Sequence, residues 1–118
     1  MVKVLVVDDD NDLLEMITFV LAKHQLEVYC TDKGSNLQEM IAKTTPDILL
    51  MDIYLGDSDG RELCKSLKDS EQHHSLPIIL YSAGFISTSS IQESLADDFV
   101  SKPFDVSQLV GKIKSLLS

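Results

Sequence analysis

Ile48-Leu49-Leu50-Met51-Asp52, preceded by Pro46-Asp47, is the stretch that decides the fold. Four apolar residues in a row, with no polar alternation, describe a strand covered on both faces, and a carboxylate set directly on its end needs a reason. The same pattern recurs on either side. Val4-Leu5-Val6-Val7 is a continuous apolar run halted by Asp8-Asp9-Asp10, and Ile78-Ile79-Leu80-Tyr81 follows Pro77 and runs into Ser82-Ala83. Glu27-Val28-Tyr29-Cys30 and Asp98-Phe99-Val100 are shorter strand candidates, the second leading to Lys102-Pro103-Phe104.

Between these runs the apolar residues change period. Leu13, Leu14, Ile17, Val20 and Leu21 form one stripe of a first helix, Leu37, Met40 and Ile41 of a second, and Leu63, Cys64 and Leu67 of a third. Ile91 and Leu95 suggest a weak fourth, entered through Ser87-Thr88-Ser89-Ser90, residues that favour caps over helix interiors. Val106, Leu109, Val110, Ile113, Leu116 and Leu117 mark a clear fifth. Five strands alternating with five helices predict an α/β fold with a parallel sheet covered on both sides, because right-handed crossovers place helices on its faces. In such open sheets the ligand crevice lies outside the carboxyl ends of the strands.

The chain has 118 residues, 44% of them hydrophobic and 25% charged, which suits one globular domain over residues 1–118 and excludes disorder. No apolar run reaches the roughly 20 residues of a membrane span, and Met1–Val7 is no signal peptide, so a cytoplasmic home is expected. A net charge of −9 argues against direct nucleic-acid binding, though not against binding phosphate through a metal. Cys30 and Cys64 show no metal-ligand spacing and are expected to be buried free thiols.

The strand ends carry the chemistry. The first delivers Asp8, Asp9 and Asp10, the third Asp52, the fourth Ser82, and the fifth Lys102. Carboxylates gathered about 4 Å apart repel by about 4 kcal/mol per pair at an effective dielectric of 20, so protons or a divalent cation must settle them. Carboxylate oxygens with water suit Mg²⁺, which leaves positions open for phosphate oxygens. An ammonium, a hydroxyl and an aspartate beside such an ion form a set able to stabilise phosphoryl transfer to that aspartate.

With these residues in place, the chain resembles a receiver domain of two-component response regulators, of the single-domain chemotaxis type, from Val4 to Leu117. The resemblance rests on Val6-Val7-Asp8-Asp9, Leu50-Met51-Asp52-Ile53 with Asp59-Gly60, Tyr81-Ser82-Ala83, and Asp97-Asp98-Phe99-Val100-Ser101-Lys102-Pro103-Phe104. It implies a flavodoxin-like, doubly wound (βα)5 sandwich with strand order 2-1-3-4-5. It implies Asp52 as phosphoacceptor, charged by a sensor histidine kinase or histidine phosphotransferase. Asp9 would bind Mg²⁺ directly and Asp8 mainly through water, with Asp52 and the Tyr54 backbone carbonyl as further ligands. Ser82 would bind a phosphoryl oxygen, Lys102 would pair with Asp52 or its phosphoryl group, and the Lys102–Pro103 bond would be cis. Phe99 stands where the family carries a switching aromatic. The expected product is a signalling domain that catalyses its own phosphorylation and dephosphorylation. It would present its helix 4/strand 5 face to an output protein not named by the sequence, with a homodimer through the helix 4/strand 5/helix 5 face as an open alternative.

Some positions depart from the family pattern. Gly56 replaces the usual proline, which predicts a more mobile loop after Asp52. Ser82 replaces the commoner threonine, and Phe99 lacks a tyrosine's hydroxyl. Tyr54 and Gly84 occupy the two variable positions beside the phosphorylation site. A ring at Tyr54 is expected to obstruct the in-line water and lengthen the life of the phosphorylated form, while Gly84 leaves its side open.

Plainer roles compete with these. Asp10 and Asp12 are read as N-terminal acids on a helix dipole, and His24 as a favourable charge at the same helix's end. Asp57-Ser58-Asp59-Gly60 fails as a calcium loop, since Leu55 and Ser66 would be its first and last ligands, and reads as a turn and cap. His73 and His74 are loop residues. An aspartyl-phosphate hydrolase of the haloacid dehalogenase kind would need an acid where Tyr54 stands, and a flavodoxin-like electron carrier would not place Asp8-Asp9-Asp10 against flavin phosphate. A phosphorylation-independent interaction domain would not need Asp52 and Lys102.

Overall fold

The computed structural model describes residues 1–84, 86–102 and 105–118, apart from the side chain of Val106. The expected cis bond at Lys102–Pro103, and Phe104, therefore lie outside the described residues. Five strands, β1 (Lys3–Val7), β2 (Glu27–Thr31), β3 (Ile48–Asp52), β4 (Ile78–Ser82) and β5 (Asp98–Ser101), form one sheet ordered β2-β1-β3-β4-β5. All four pairings are parallel. The helices α1 (Asn11–Lys23), α2 (Leu37–Thr44), α3 (Gly60–Lys68), α4 (Thr88–Ser94) and α5 (Val106–Leu117) connect or follow them. This is the flavodoxin-like α/β arrangement expected from the alternation, and its switch point falls between β1 and β3.

Alternation along each strand divides the core into two layers. Val4, Val6, Ile48, Leu50, Ile79, Tyr81 and Val100 face α1 and α5, where they meet Leu14, Ile17, Leu21, Leu109, Val110 and Ile113. Leu5, Val7, Leu49, Met51, Ile78 and Leu80 face the other way, against Leu37 and Ile41 of α2 and Cys64 and Leu67 of α3, with Ile91 and Phe99 packed partly against that cluster. The strand residues of β1, β3 and β4 are almost wholly excluded from solvent, which is why their sequences are continuous apolar runs.

Side-chain caps fix where the helices start. Asp10 accepts from the Asp12 and Leu13 amides, Asp59 from the Arg61 amide, Ser87 from the Ser90 amide and Asp105 from the Ser107 amide. Each such cap contributes about 1 kcal/mol, and the role expected for Asp10 is the one observed. Gly60 is required by close approach: a Cβ there would stand 2.3 Å from the Asp52 carbonyl oxygen, so the start of α3 rests directly on the end of β3.

Two expectations need correction. Leu95 does not continue the stripe of the fourth helix. The helix ends at Ser94, and Leu95 adopts a left-handed φ of 65° as the exposed residue after it. That reversal brings the chain to Asp97, whose amide donates to the Ile78 carbonyl and whose carboxylate accepts from the Ile78 amide. Of the two free cysteines only Cys64 is buried. Cys30, on edge strand β2, is half-buried, with Thr18 Oγ1 3.2 Å from its sulfur.

Candidate functional site

The parity of the strands decides which side chains meet. Asp8 continues the Val4-Val6 face of β1, Asp52 the Ile48-Leu50 face of β3, and Lys102 the Val100 face of β5, so all three project to the α1/α5 side at the carboxyl edge of the sheet. Lys102 Nζ donates to Asp52 Oδ2 at 3.1 Å and to Asp8 Oδ2 at 3.2 Å. Asp9, exposed at the rim, completes a group in which one oxygen each of Asp8, Asp9 and Asp52 lie within 4.8 Å of one another. Residues 8, 9, 52 and 102, distant in the chain, are therefore brought together as expected. Asp10 turns away to cap α1.

The Asp52 carboxyl is held by the Tyr54 amide, which donates to its Oδ1 at 3.2 Å. Burial raises its pKa above the usual carboxylate value, and the charge of Asp8 adds to that, while the Tyr54 amide and Lys102 oppose it. Burial pushes the Lys102 ammonium the opposite way, but the two carboxylates outweigh it and hold its pKa above that of a free lysine. The fit to a small hard cation follows from this donor set. Among the described residues, three carboxylate oxygens converge with one ammonium to balance them, and one of the three stands open to solvent, where water and phosphate oxygens could complete a coordination shell.

Ser82 and Phe99 lie differently. Both belong by alternation to the opposite layer, with Leu80 and the α2/α3 core. Ser82 is fully buried and its Oγ accepts from the Gly84 amide at 3.2 Å, while Phe99 is half-buried beside Leu80, its register partner. The hydroxyl and the ring thus sit on a common face behind the carboxylates.

The variable positions show a further departure from expectation. The exposed Tyr54 ring reaches across toward Gly84, where a Cβ would stand 3.8 Å from Tyr54 Cε2, so the two positions form one flank of the site and the glycine is partly covered by the tyrosine. The Arg61 guanidinium lies 5.9 Å from the centre of the same ring and also bonds Asp59 and Ser90 Oγ. Gly56 has φ +76°, which a proline ring excludes, so the loop after Asp52 follows a path unavailable to a proline at that position.

The sequence conceals Tyr81 as a site residue, because it completes an apolar run. Its hydroxyl donates to Asp8 Oδ2 at 2.9 Å, and burial, with the neighbouring Asp8, raises its pKa well above that of a free phenol. The available signal was a single amphipathic ring at the end of an otherwise aliphatic strand.

The doubly wound sheet, with its acids and lysine at the switch point, defines the general class. The chain belongs to the response regulator receiver domain family, whose model matches residues 4–114. Among solved structures it is similar to a protein described as a response regulator from Chloroflexus aurantiacus, with 32% identity, a TM-score of 0.90, and coverage of 98% of this chain and 96% of that one. It is also similar to the BeF3-activated N-terminal receiver domain of Klebsiella pneumoniae RstA, with 29% identity, a TM-score of 0.87, and coverage of 98% and 97%. The chemotaxis response regulator CheY4 of Vibrio cholerae, at 24% identity, a TM-score of 0.87 and 98% coverage of both chains, shares the fold. Receiver domains of two-component systems accept a phosphoryl group on an aspartate. Among the described residues, no helix is long and apolar enough to cross a membrane.

Proposed function

We propose that this chain is a Mg²⁺-dependent receiver domain, one domain over residues 1–118, that takes a phosphoryl group on Asp52 from a histidine kinase or histidine phosphotransferase and signals through its α4/β5 face. The single observation that carries this reading is the convergence on Lys102 Nζ of Asp52 at 3.1 Å and Asp8 at 3.2 Å, with Asp9 alongside. Asp52 is the acceptor because it keeps slight access, at 6% exposure, with partners for both oxygens, whereas Asp8 is sealed in and Asp9 stands exposed at the rim.

In this reading an Asp52 carboxylate oxygen attacks phosphorus, the bond from phosphorus to the donor imidazole nitrogen breaks, and the imidazole departs with the bonding pair and takes a proton. Asp8, Asp9, Asp52 and the Tyr54 carbonyl are the groups that would hold Mg²⁺, with Asp8 contributing directly or through water. When bound, the ion neutralises charge shared between carboxylate and phosphoryl oxygens. Lys102 is placed to follow the negative charge from Asp52 to its phosphoryl group. Ser82, whose Oγ accepts from the Gly84 amide, turns its hydroxyl to donate to a phosphoryl oxygen, and Phe99, on the same face, responds to the space that this motion leaves. The outcome is a bias between two arrangements of α4 and β5, read by an output partner or by a second copy through the α4, β5 and α5 face. A cytoplasmic setting fits a kinase-dependent role.

Incubation with acetyl phosphate, with Mg²⁺ or with chelator, followed by intact-mass measurement tests this. A gain of about 80 Da that needs Mg²⁺ is the expected phosphoryl addition. No gain, or one indifferent to chelator, rejects the reading.

A further inference from the structure

Tyr81 occupies the centre of the acidic edge without belonging to the proposed chemistry. It pairs in register with Asp52 on β3 and Val100 on β5, and it is only 1% exposed. Its ring lies under Lys102, whose Nζ is 5.0 Å from the ring centre, and its hydroxyl reaches Asp8 Oδ2 at 2.9 Å. It therefore touches two of the groups that bear charge in the site.

Asp8 is fully buried, and among the described residues three donors reach it. Its Oδ1 accepts from the Asp10 amide at 2.9 Å, and its Oδ2 accepts from Tyr81 and from Lys102. A carboxylate offers about four lone-pair sites, so these three bonds leave about one, on a carboxyl already in place beside Asp9 and Asp52. Packing alone does not call for the phenol. Phenylalanine fills nearly the same volume without burying a hydroxyl, which is costly unless it is bonded. The Lys102 contact is also the one expected to weaken once a phosphoryl group on Asp52 competes for the ammonium. The bonds from Tyr81 and the Asp10 amide do not depend on that competition.

We infer that Tyr81 is a positioning residue that orients the Asp8 carboxylate for a divalent cation and keeps it oriented when Lys102 shifts toward the phosphoryl group. The inference rests on the proposed reading of Asp8, Asp9 and Asp52 as a Mg²⁺ site. Hydrogen-bond partners of metal-binding side chains fix their orientation, and removing one weakens metal affinity by about 10- to 100-fold.

The test compares the parent with Tyr81→Phe in full-chain protein, using calorimetric titration with MgCl2 and the Mg²⁺ dependence of phosphorylation by acetyl phosphate. The expected result is Mg²⁺ binding weakened about tenfold, with the half-saturating Mg²⁺ concentration of the reaction raised by the same factor. The rate at saturating Mg²⁺ stays close to the parent's. Parent-like affinity in the variant overturns the inference, and so does a reduced saturating rate with an unchanged Mg²⁺ requirement. Should Tyr81→Phe fail to fold, a Tyr29→Phe/Tyr54→Phe variant leaves Tyr81 as the sole tyrosine. Its near-ultraviolet absorption is expected to shift on Mg²⁺ addition, and no shift overturns the inference. A parent protein that binds no Mg²⁺ overturns both the reading of the acidic site and this one.

Discussion

Lys102 Nζ stands 3.1 Å from Asp52 Oδ2, tying the end of β5 to the end of β3 across the edge where β4 also terminates. The same ammonium holds Asp8, so one cation serves two carboxylates that are nearly excluded from water. Removing one partner of a buried pair leaves uncompensated charge.

Lys102→Met is therefore expected to destabilise the protein by about 2 kcal/mol, below the 3–5 typical of fully buried pairs because the lysine is partly solvated. Urea unfolding measures this. Added Mg²⁺ is expected to narrow the gap from the parent by supplying the missing positive charge, and a Lys102→Met protein as stable as the parent without Mg²⁺ contradicts the description.

Asp52→Asn is expected to act in the opposite direction. Burial raises the Asp52 pKa in the folded state, so the unfolded chain releases this proton first and stability is lost as pH rises from the ordinary carboxylate value through the raised one. Without Mg²⁺, the asparagine variant should be more stable than the parent at neutral pH and melt at a higher temperature. The gain should fade as pH falls below the range in which a free carboxylate ionises. Thermal melts across pH measure both the sign and the window, and equal melting at neutral pH counts against the charge excess.

Tyr54→Ala is expected to shorten the life of the phosphorylated form several-fold. The exposed ring lies beside Gly84 with Arg61 near its face, and the expectation is that it obstructs water approaching a phosphoryl group on Asp52. Dephosphorylation after removal of the phosphodonor measures it, and an unchanged rate removes the ring from the account.

The segment that should respond to phosphorylation is α4. It is seven residues long, begins with serine and threonine, and is joined to α3 by the Arg61 bond to Ser90 Oγ at 2.8 Å. A helix this short is expected to have little local free energy opposing its rearrangement. Amide exchange over Ser87–Leu95 is expected to differ between the free and beryllofluoride-bound states, and equal protection would mean the signal leaves by another route.

The central strands were legible because β1, β3 and β4 are buried on both faces and must be apolar throughout. Asp8, Asp9, Asp52 and Lys102 were legible because each breaks such a run at its end. Leu95 misled, since a short helix offers too few turns for periodicity to distinguish a stripe residue from a left-handed cap. Tyr81 was hidden by its own amphipathic nature, with a ring that satisfies the core pattern and a hydroxyl whose partner is 73 positions away in the chain. The Gly60 contact with the Asp52 carbonyl and the reach of Tyr54 over Gly84 depend on how α3 and the loops settle on the sheet, which no local pattern encodes.

The most direct measurement asks which atom carries the phosphoryl group. Protein phosphorylated by acetyl phosphate is reduced with borohydride, which converts an acyl phosphate to the alcohol, and the digested peptides are sequenced by mass spectrometry. The account requires homoserine at position 52, with Asp8 and Asp9 unchanged. Homoserine at either of those two, or none at 52 in protein that has gained the phosphoryl mass, contradicts it.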